Sequence, residues 1–317
     1  MPIAGTLGTE EFITILKDKV ARVAIDDFNR VKDKSASVRD TIFNVRPTKQ
    51  PIFRRRGLAG GGYPVESPDG TLAPPFNIAL TPEIVYRVVQ YRRSIIYTIE
   101  MMESILNNAE IRFVQEGEVF RKMLDDADDM VEDVVAGVFI NAFTSTEVGA
   151  DGKPLCATDH PILLSPTGQT YANTPSTSVS LSPAALNDAF VNMRTLVDNS
   201  GAIRGLTPKY LLVPPQLEVR AKEILHSEAV PYSAENTVNV FQNSLDIIVW
   251  DRLTFLPTAW FLLTDKAHHS LNLFTHTPPS IVVSKDIDYK TRTLYTEVLT
   301  RFAYGFDDWR GVYGAAG

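Results

Sequence analysis

DGKPLCATDHPILLSPTGQTYAN (Asp151–Asn173), LSPAALNDAFVNMRTLVDNSGA (Leu181–Ala202) and LTPKYLLVPPQLEVRAKEI (Leu206–Ile224) follow one another with only a serine/threonine-rich spacer and three residues between them. The first holds Cys156, Asp159 and His160 within five residues and has the look of a catalytic loop. A cysteine nucleophile needs a histidine within hydrogen-bond reach and a third group to orient it, and folds normally bring these together from distant positions. Here the histidine precedes a proline, in a stretch punctuated by Gly152, Pro154, Pro161 and Gly168. The structural reading is two linked turns, with Asp159 free to bond neighbouring amides. The second piece reads as a helix with Ser182 as cap, Pro183 in the first turn, a stop at Asn199-Ser200-Gly201, and Leu186, Phe190, Met193 and Val197 on its buried face. The third reads as a buried strand over Tyr210–Val213 running through a double proline into a helix from Gln216 to Leu225.

On the N-terminal side lies the clearest helix of the chain. Positions 113, 117, 120, 124, 127, 131, 134 and 138 hold Phe, Gly, Phe, Leu, Ala, Val, Val and Val. Between them stand Glu116, Glu118, Lys122, Asp125, Asp126, Asp129, Glu132 and Asp133. One apolar stripe with an acidic back from about 110 to 143 predicts a helix of ~50 Å, far above the usual length. A coiled coil is the alternative to a spine laid across a sheet; Gly117 and the short heptad run favour the spine.

Further upstream, residues 9–34 carry a helical pattern of Phe12, Ile13, Leu16, Val20, Val23, Ala24 and Phe28, a stripe that needs something to pack on. Asp40–Asn44 (DTIFN) is apolar and β-prone. Phe53–Pro64 (FRRRGLAGGGYP) is too rich in glycine to be expected to form a regular element. Ile84–Ile99 (IVYRVVQYRRSIIYTI) suits a strand, with a helix capped by Thr81 as the alternative. Residues 45–99 therefore read as a long projecting hairpin with a mobile tip, a loop length that is functional or disordered when it occurs. Downstream, LDIIVW (245–250), AWFLLT (259–264), Ser280–Ser284 and Arg292–Phe306 are strand-like, and Leu294, Thr296, Val298, Thr300, Phe302 and Tyr304 alternate onto one buried face.

Bulk composition narrows the function classes. The 317 residues are 44% apolar and 22% charged, ordinary for a globular chain of one to three domains. No run approaches the ~18 apolar residues needed to cross a bilayer. A net charge of −7 disfavours a dedicated nucleic-acid binder. A single cysteine excludes a disulfide framework. No cofactor or metal is expected: His268, His269 and His276 near Asp265 lack ligand spacing, and adjacent strand side chains point to opposite faces. The acidic run DDADDMVED lacks the glycine of a calcium loop, and Gly60-Gly61-Gly62 fits no phosphate-binding pattern.

The order of these segments, carried by DGKPL, DHP, LLVPP and WFLL over Asp151–Leu225 and Leu245–Gly311, resembles the major head subunits of Mu-like tailed phages, which have the Hong Kong 97 capsid fold. The resemblance implies an α+β chain with an N-terminal arm (1–44), an extended β-hairpin loop (45–99), a peripheral domain with the spine helix (100–184), an axial domain (185–275) and strands returning to the peripheral domain (276–317). No separate scaffolding segment is expected ahead of the arm. It also implies self-assembly as hexamers and pentamers into an icosahedral head in the virion, built in the host cytoplasm. Scaffold, portal and decoration proteins would be partners, double-stranded DNA would be contacted non-specifically, and no membrane is involved. Arm and loop are expected to be mobile in the monomer and ordered on neighbouring copies. Some members crosslink through a lysine on the extended loop; Pro51–Pro82 has none, so no such crosslink is expected. The expected contact between copies joins Arg54, Arg55 and Arg56 to Asp125, Asp126, Asp129, Glu132 and Asp133 of a neighbour, with plain solvated charge as the alternative. The rival functions are an encapsulin-type nanocompartment shell and a cysteine hydrolase using Cys156 and His160.

Overall fold

A computed structural model describes residues 37–60, 64, 66–72, 78–98, 109–164, 168–227, 239–284 and 293–317. The expected helix over 9–34 and the glycine-rich hairpin tip around 61–63 lie outside these residues.

The body begins with a short helix, α1 (Val38–Ile42), and a strand, β1 (Asn44–Pro47). Asp40–Ile42 is thus helical rather than extended. Tertiary contact decided this: Ile42 and Phe43 are fully buried in the main core, and the Phe43 ring meets Phe139 edge-on at 6.1 Å. Strands β2 (Ile52–Arg55), β3 (Leu58–Gly60), β4 (Ile78–Leu80) and β5 (Ile84–Arg87) form the hairpin, with Ile52 opposite Arg87 and Leu58 opposite Leu80. The stretch judged too glycine-rich for regular structure therefore contains two strands. Its glycines sit at or beyond their ends, where the Gly57 amide donates to Thr81 Oγ1 at 2.6 Å. Ile84–Thr98 is extended throughout, but β6 (Val89–Thr98) leaves the hairpin and joins the body.

That body sheet has the order β1-β12-β13-β6, with β12 (Leu271–Val283) and β13 (Thr293–Phe306) as its long centre. Across it runs α2 (Ala109–Ile140), whose 32 residues span ~48 Å. Phe120, Leu124, Ala127, Val131 and Val138 are buried as the stripe predicts, and Val135, Ala136 and Phe139 widen it where the helix enters the main core. On β13, Leu294, Thr296, Val298, Thr300 and Phe302 are buried and Tyr304 is half-buried.

A second sheet, β10 (Asp246–Val249)-β9 (Tyr210–Val213)-β11 (Trp260–Leu263)-β14 (Val312–Ala315), is covered on both faces. Leu212, Phe261 and Leu263 face the α2 core. Leu211, Val213, Trp260 and Leu262 face a second core made with α3 (Pro183–Arg194) and α4 (Glu218–His226). Burial on both sides is why LLV and WFLL are unbroken apolar runs rather than alternating ones. Two two-residue strands, β7 (His160–Pro161) and β8 (Thr170–Tyr171), pin the loop after α2.

Ser182 caps α3 as expected, its side chain accepting from the Ala185 amide at 3.2 Å. The helix ends at Arg194, five residues before Asn199. Asp198 Oδ1 takes the Ser200 and Ala202 amides at 2.8 and 3.0 Å, Val197 bridges to Ile203, and Gly201 has φ +82. Asn199-Ser200-Gly201 is consequently the tip of a small hairpin, not a helix stop, because an aspartate that bonds amides ahead of it competes with the helix.

Candidate functional site

The Cys156 thiol is buried, and desolvation pushes its pKa well above the ordinary thiol value, disfavouring the thiolate a nucleophile needs. His160 is fully buried and both ring nitrogens are engaged away from it: Nδ1 with Asp151 Oδ2 at 2.7 Å and Nε2 with Asn173 Oδ1 at 3.1 Å. Its ring stacks on Trp309 at 4.3 Å. Asp159 turns outward to Lys153, whose ammonium holds the carboxyl below the usual range. The three residues share a loop but not a reaction centre. What they build is a brace, and its keystone is Asn173, which donates to the carbonyls of Leu155 and Val312 at 2.8 and 3.0 Å and accepts from the Ala157 amide at 2.9 Å.

Of the histidines weighed for metal binding, His268 is exposed while His269 is buried, so the two point apart. Burial lowers the His269 pKa to about 4. His276 bonds Thr277 Oγ1. Among the described residues no group of three metal-ligating side chains converges, and no helix is long and apolar enough to cross a membrane.

The arginines at the hairpin root do three different things. Arg55 faces the body, pairing with Asp307 at 3.0 Å and lying over the Phe274 ring. Arg54 and Arg56 stay largely exposed and share Glu83, the residue just before β5, at 3.1 and 2.7 Å. Asp307 also accepts from the Tyr86 hydroxyl at 2.7 Å and the Asn272 amide at 3.0 Å, while Phe53 stacks on Tyr86. This anchor fixes where the hairpin leaves the body.

The acidic face of α2 is likewise divided. Glu132 points into the structure and accepts from the Trp250 indole and Ser37 hydroxyl, both at 3.2 Å. Asp129 and Asp133 flank Arg252 at 3.3 and 3.0 Å yet stay exposed, and Asp126 meets Lys122. Asp125 is half-buried, and Asp128, outside the predicted set, holds Arg39 at 2.9 Å. Within one chain, therefore, the arginine and carboxylate sets find other partners. Glu83, Asp307, Arg252 and Arg39 escaped the sequence reading because each lies more than 25 residues from its partner and belongs to no local charge run.

A family model described as "Phage capsid protein" matches residues 81–315. The chain belongs to the phage capsid protein family. Solved structures agree in fold with this capsid protein. The bacteriophage JBD30 capsid aligns at a TM-score of 0.55 and 12% identity, over 70% of this chain and 92% of that one. Mycobacterium phage Patience aligns at 0.54 and 12%, over 95% and 87%. The JBD30 procapsid aligns at 0.50 and 13%, over 97% and 76%. A comparison with curated protein sequences finds no match. The α+β architecture of a long helix across a long-stranded sheet is the Hong Kong 97-like capsid fold.

Proposed function

We propose that this is the major capsid subunit of a tailed bacteriophage, a structural protein without catalytic activity. It would assemble as hexamers and pentamers into an icosahedral head that encloses double-stranded DNA. The observation carrying this reading is the family match across 81–315, which takes in β5, α2, the second sheet and every strand of the body sheet except β1. The division into arm 1–44, extended loop 45–99, peripheral domain 100–184, axial domain 185–275 and return strands 276–317 belongs to the same proposal. Two separate apolar cores, one under α2 and one between α3, α4 and the second sheet, support it.

Contacts between copies would be modest singly and effective in number over a closed shell. Arg54 and Arg56 on the hairpin and Asp126, Asp129 and Asp133 on α2 are the members of the charge clamp with enough exposure to reach a neighbour. Arg55, Asp125 and Glu132 would act from beneath, holding the two elements in place.

Electron microscopy of the purified protein tests the reading. Closed shells, tubes or capsomer rings are expected; a persistent compact monomer or dimer with enzymatic turnover overturns it. Packaged enzyme cargo in place of DNA would assign the shell to the encapsulin class. Cys156→Ala separates off the hydrolase: assembly should be unchanged and stability lower by about 1 kcal/mol, the scale of losing one small buried group.

A further inference from the structure

The turn Asp251–Phe255 is tied down at several points, yet it holds one aromatic ring out in solvent. Just before it, Trp250 is buried and its indole donates to Glu132 of α2. Arg252 pairs with Asp129 and Asp133, and Leu253 is fully buried in the main core. The Leu253 amide donates to the Trp250 carbonyl at 3.0 Å, and the Leu256 amide to the Leu253 carbonyl at 2.8 Å. Between these fixed points Phe255 is 82% exposed. Single exposed apolar residues are ordinary and by themselves call for no partner. A phenyl ring on a braced turn is a different case, because little ordering cost remains when something covers it.

The chain carries a matching seat elsewhere. Helix α2 lies over β12 and β13 and leaves a groove of about 430 Å³ between itself and β6. Tyr91, Ile95, Val119, Met123, Ala127 and Met130 line it. A cavity of ~150 Å³ is enough for a benzene ring, so this groove takes a phenyl side chain and the atoms flanking it. The two methionines suit such a guest, since thioether sulfur packs favourably against aromatic rings. Strand alternation puts Arg93 on the same face of β6 as Tyr91 and Ile95, at the rim of the groove. Asp251, exposed and ~8 Å from Phe255 along the turn, offers the opposite charge.

Anchor and seat do not meet within one chain. The α2 residues that hold the turn, Asp129, Glu132 and Asp133, are centred ~100° around the helix and ~10 Å along it from those that line the groove. We propose that Phe255 of one copy seats in the α2–β6 groove of the next copy, with Asp251 against Arg93 at the rim. A contact between two different patches of identical chains is head-to-tail, and it generates a ring when the rotation between copies closes. The inference rests on the capsid reading and adds to it a contact within the capsomer that is separate from the charge clamp of hairpin and helix.

The test uses the full-length Phe255→Trp protein, followed by fluorescence and acrylamide quenching as it passes from dilute monomer to assembled particles. The native tryptophans, Trp250, Trp260 and Trp309, are all buried, so the accessible emission reports on position 255. That emission should shift to the blue and lose its quenching on assembly. Phe255→Ala should raise the protein concentration needed for assembly about thirtyfold, the scale of truncating an interface anchor. Asp251→Arg should also weaken assembly, and adding Arg93→Asp should recover it; no recovery overturns the pairing at the rim and with it the proposed seat. Particles that form with residue 255 still open to quencher overturn this contact and leave the capsid reading standing. A chain that stays monomeric at every concentration overturns both.

Discussion

At Asn173 and His269 the fold depends on polar groups that are almost wholly buried. Asn173 ties the loop after α2 to β14, and His160 packs between Asp151, Asn173 and Trp309, so a cluster resembling a catalytic triad is consumed by structural bonds. His269 is 6% exposed and its Nδ1 accepts from the Leu271 amide at 3.4 Å, which requires the neutral ring. Its folded pKa, about 4, lies below the ordinary 6.5. The neutral form is therefore what the fold stabilises. That contribution is complete above pH 6.5, shrinks as pH falls, and is gone below about 4. Its ceiling is on the order of 3 kcal/mol. Urea unfolding at pH 7 and pH 4.5 should show wild type losing stability that a His269→Gln variant, with no imidazole to charge, does not lose. Equal pH dependence in the two proteins would remove His269 from the acid sensitivity.

Among the elements, the hairpin root carries the sharpest expectation. Asp307 gathers Tyr86, Asn272 and Arg55, one residue from each of three strands. Asp307→Ala should cost roughly 2 kcal/mol locally, since it strands a buried hydroxyl and a guanidinium. Exchange at 52–55 and 84–87 should rise while α3 and α4 keep their protection. The same elements show what was readable in advance. Helix α2 was plain because a 3.6-residue stripe repeated over many turns leaves no other period. Ser182 was plain because capping is local chemistry. The end of α3 was not, since Asn199-Ser200-Gly201 serves a helix stop and a hairpin tip equally well, and only the pairing of Val197 with Ile203 distinguishes them.

For the molecule as a whole, assembly is where the charge pattern acts. Replacing Arg54 and Arg56 by glutamate should lower the yield of shells. Replacing Asp129 and Asp133 by lysine should do the same, and combining the two sets should restore yield. Each exposed pair contributes only ~0.2–1 kcal/mol, so the effect should fade with salt. Failure of the combined variant to recover would leave these residues as solvated charge. Denaturing gels of assembled particles should show no lysine-dependent covalent ladder, because Pro51–Pro82 offers no lysine amine. The candidate contact residues were legible as two charge runs. Their division was not, because whether an arginine faces its own body or a neighbour depends on Asp307 and Glu83, residues that sequence distance hides.

Sequence alone determined the long helix, the capped α3, the doubly buried strands and the order of segments that marks the family. Each rests on interactions within a few residues or on a period set by backbone geometry. Only the tertiary structure decided that Cys156 and His160 turn away from each other and that β6 leaves the hairpin for the body sheet. Those outcomes depend on which distant strands pair and which distant side chains meet, and no local pattern encodes either.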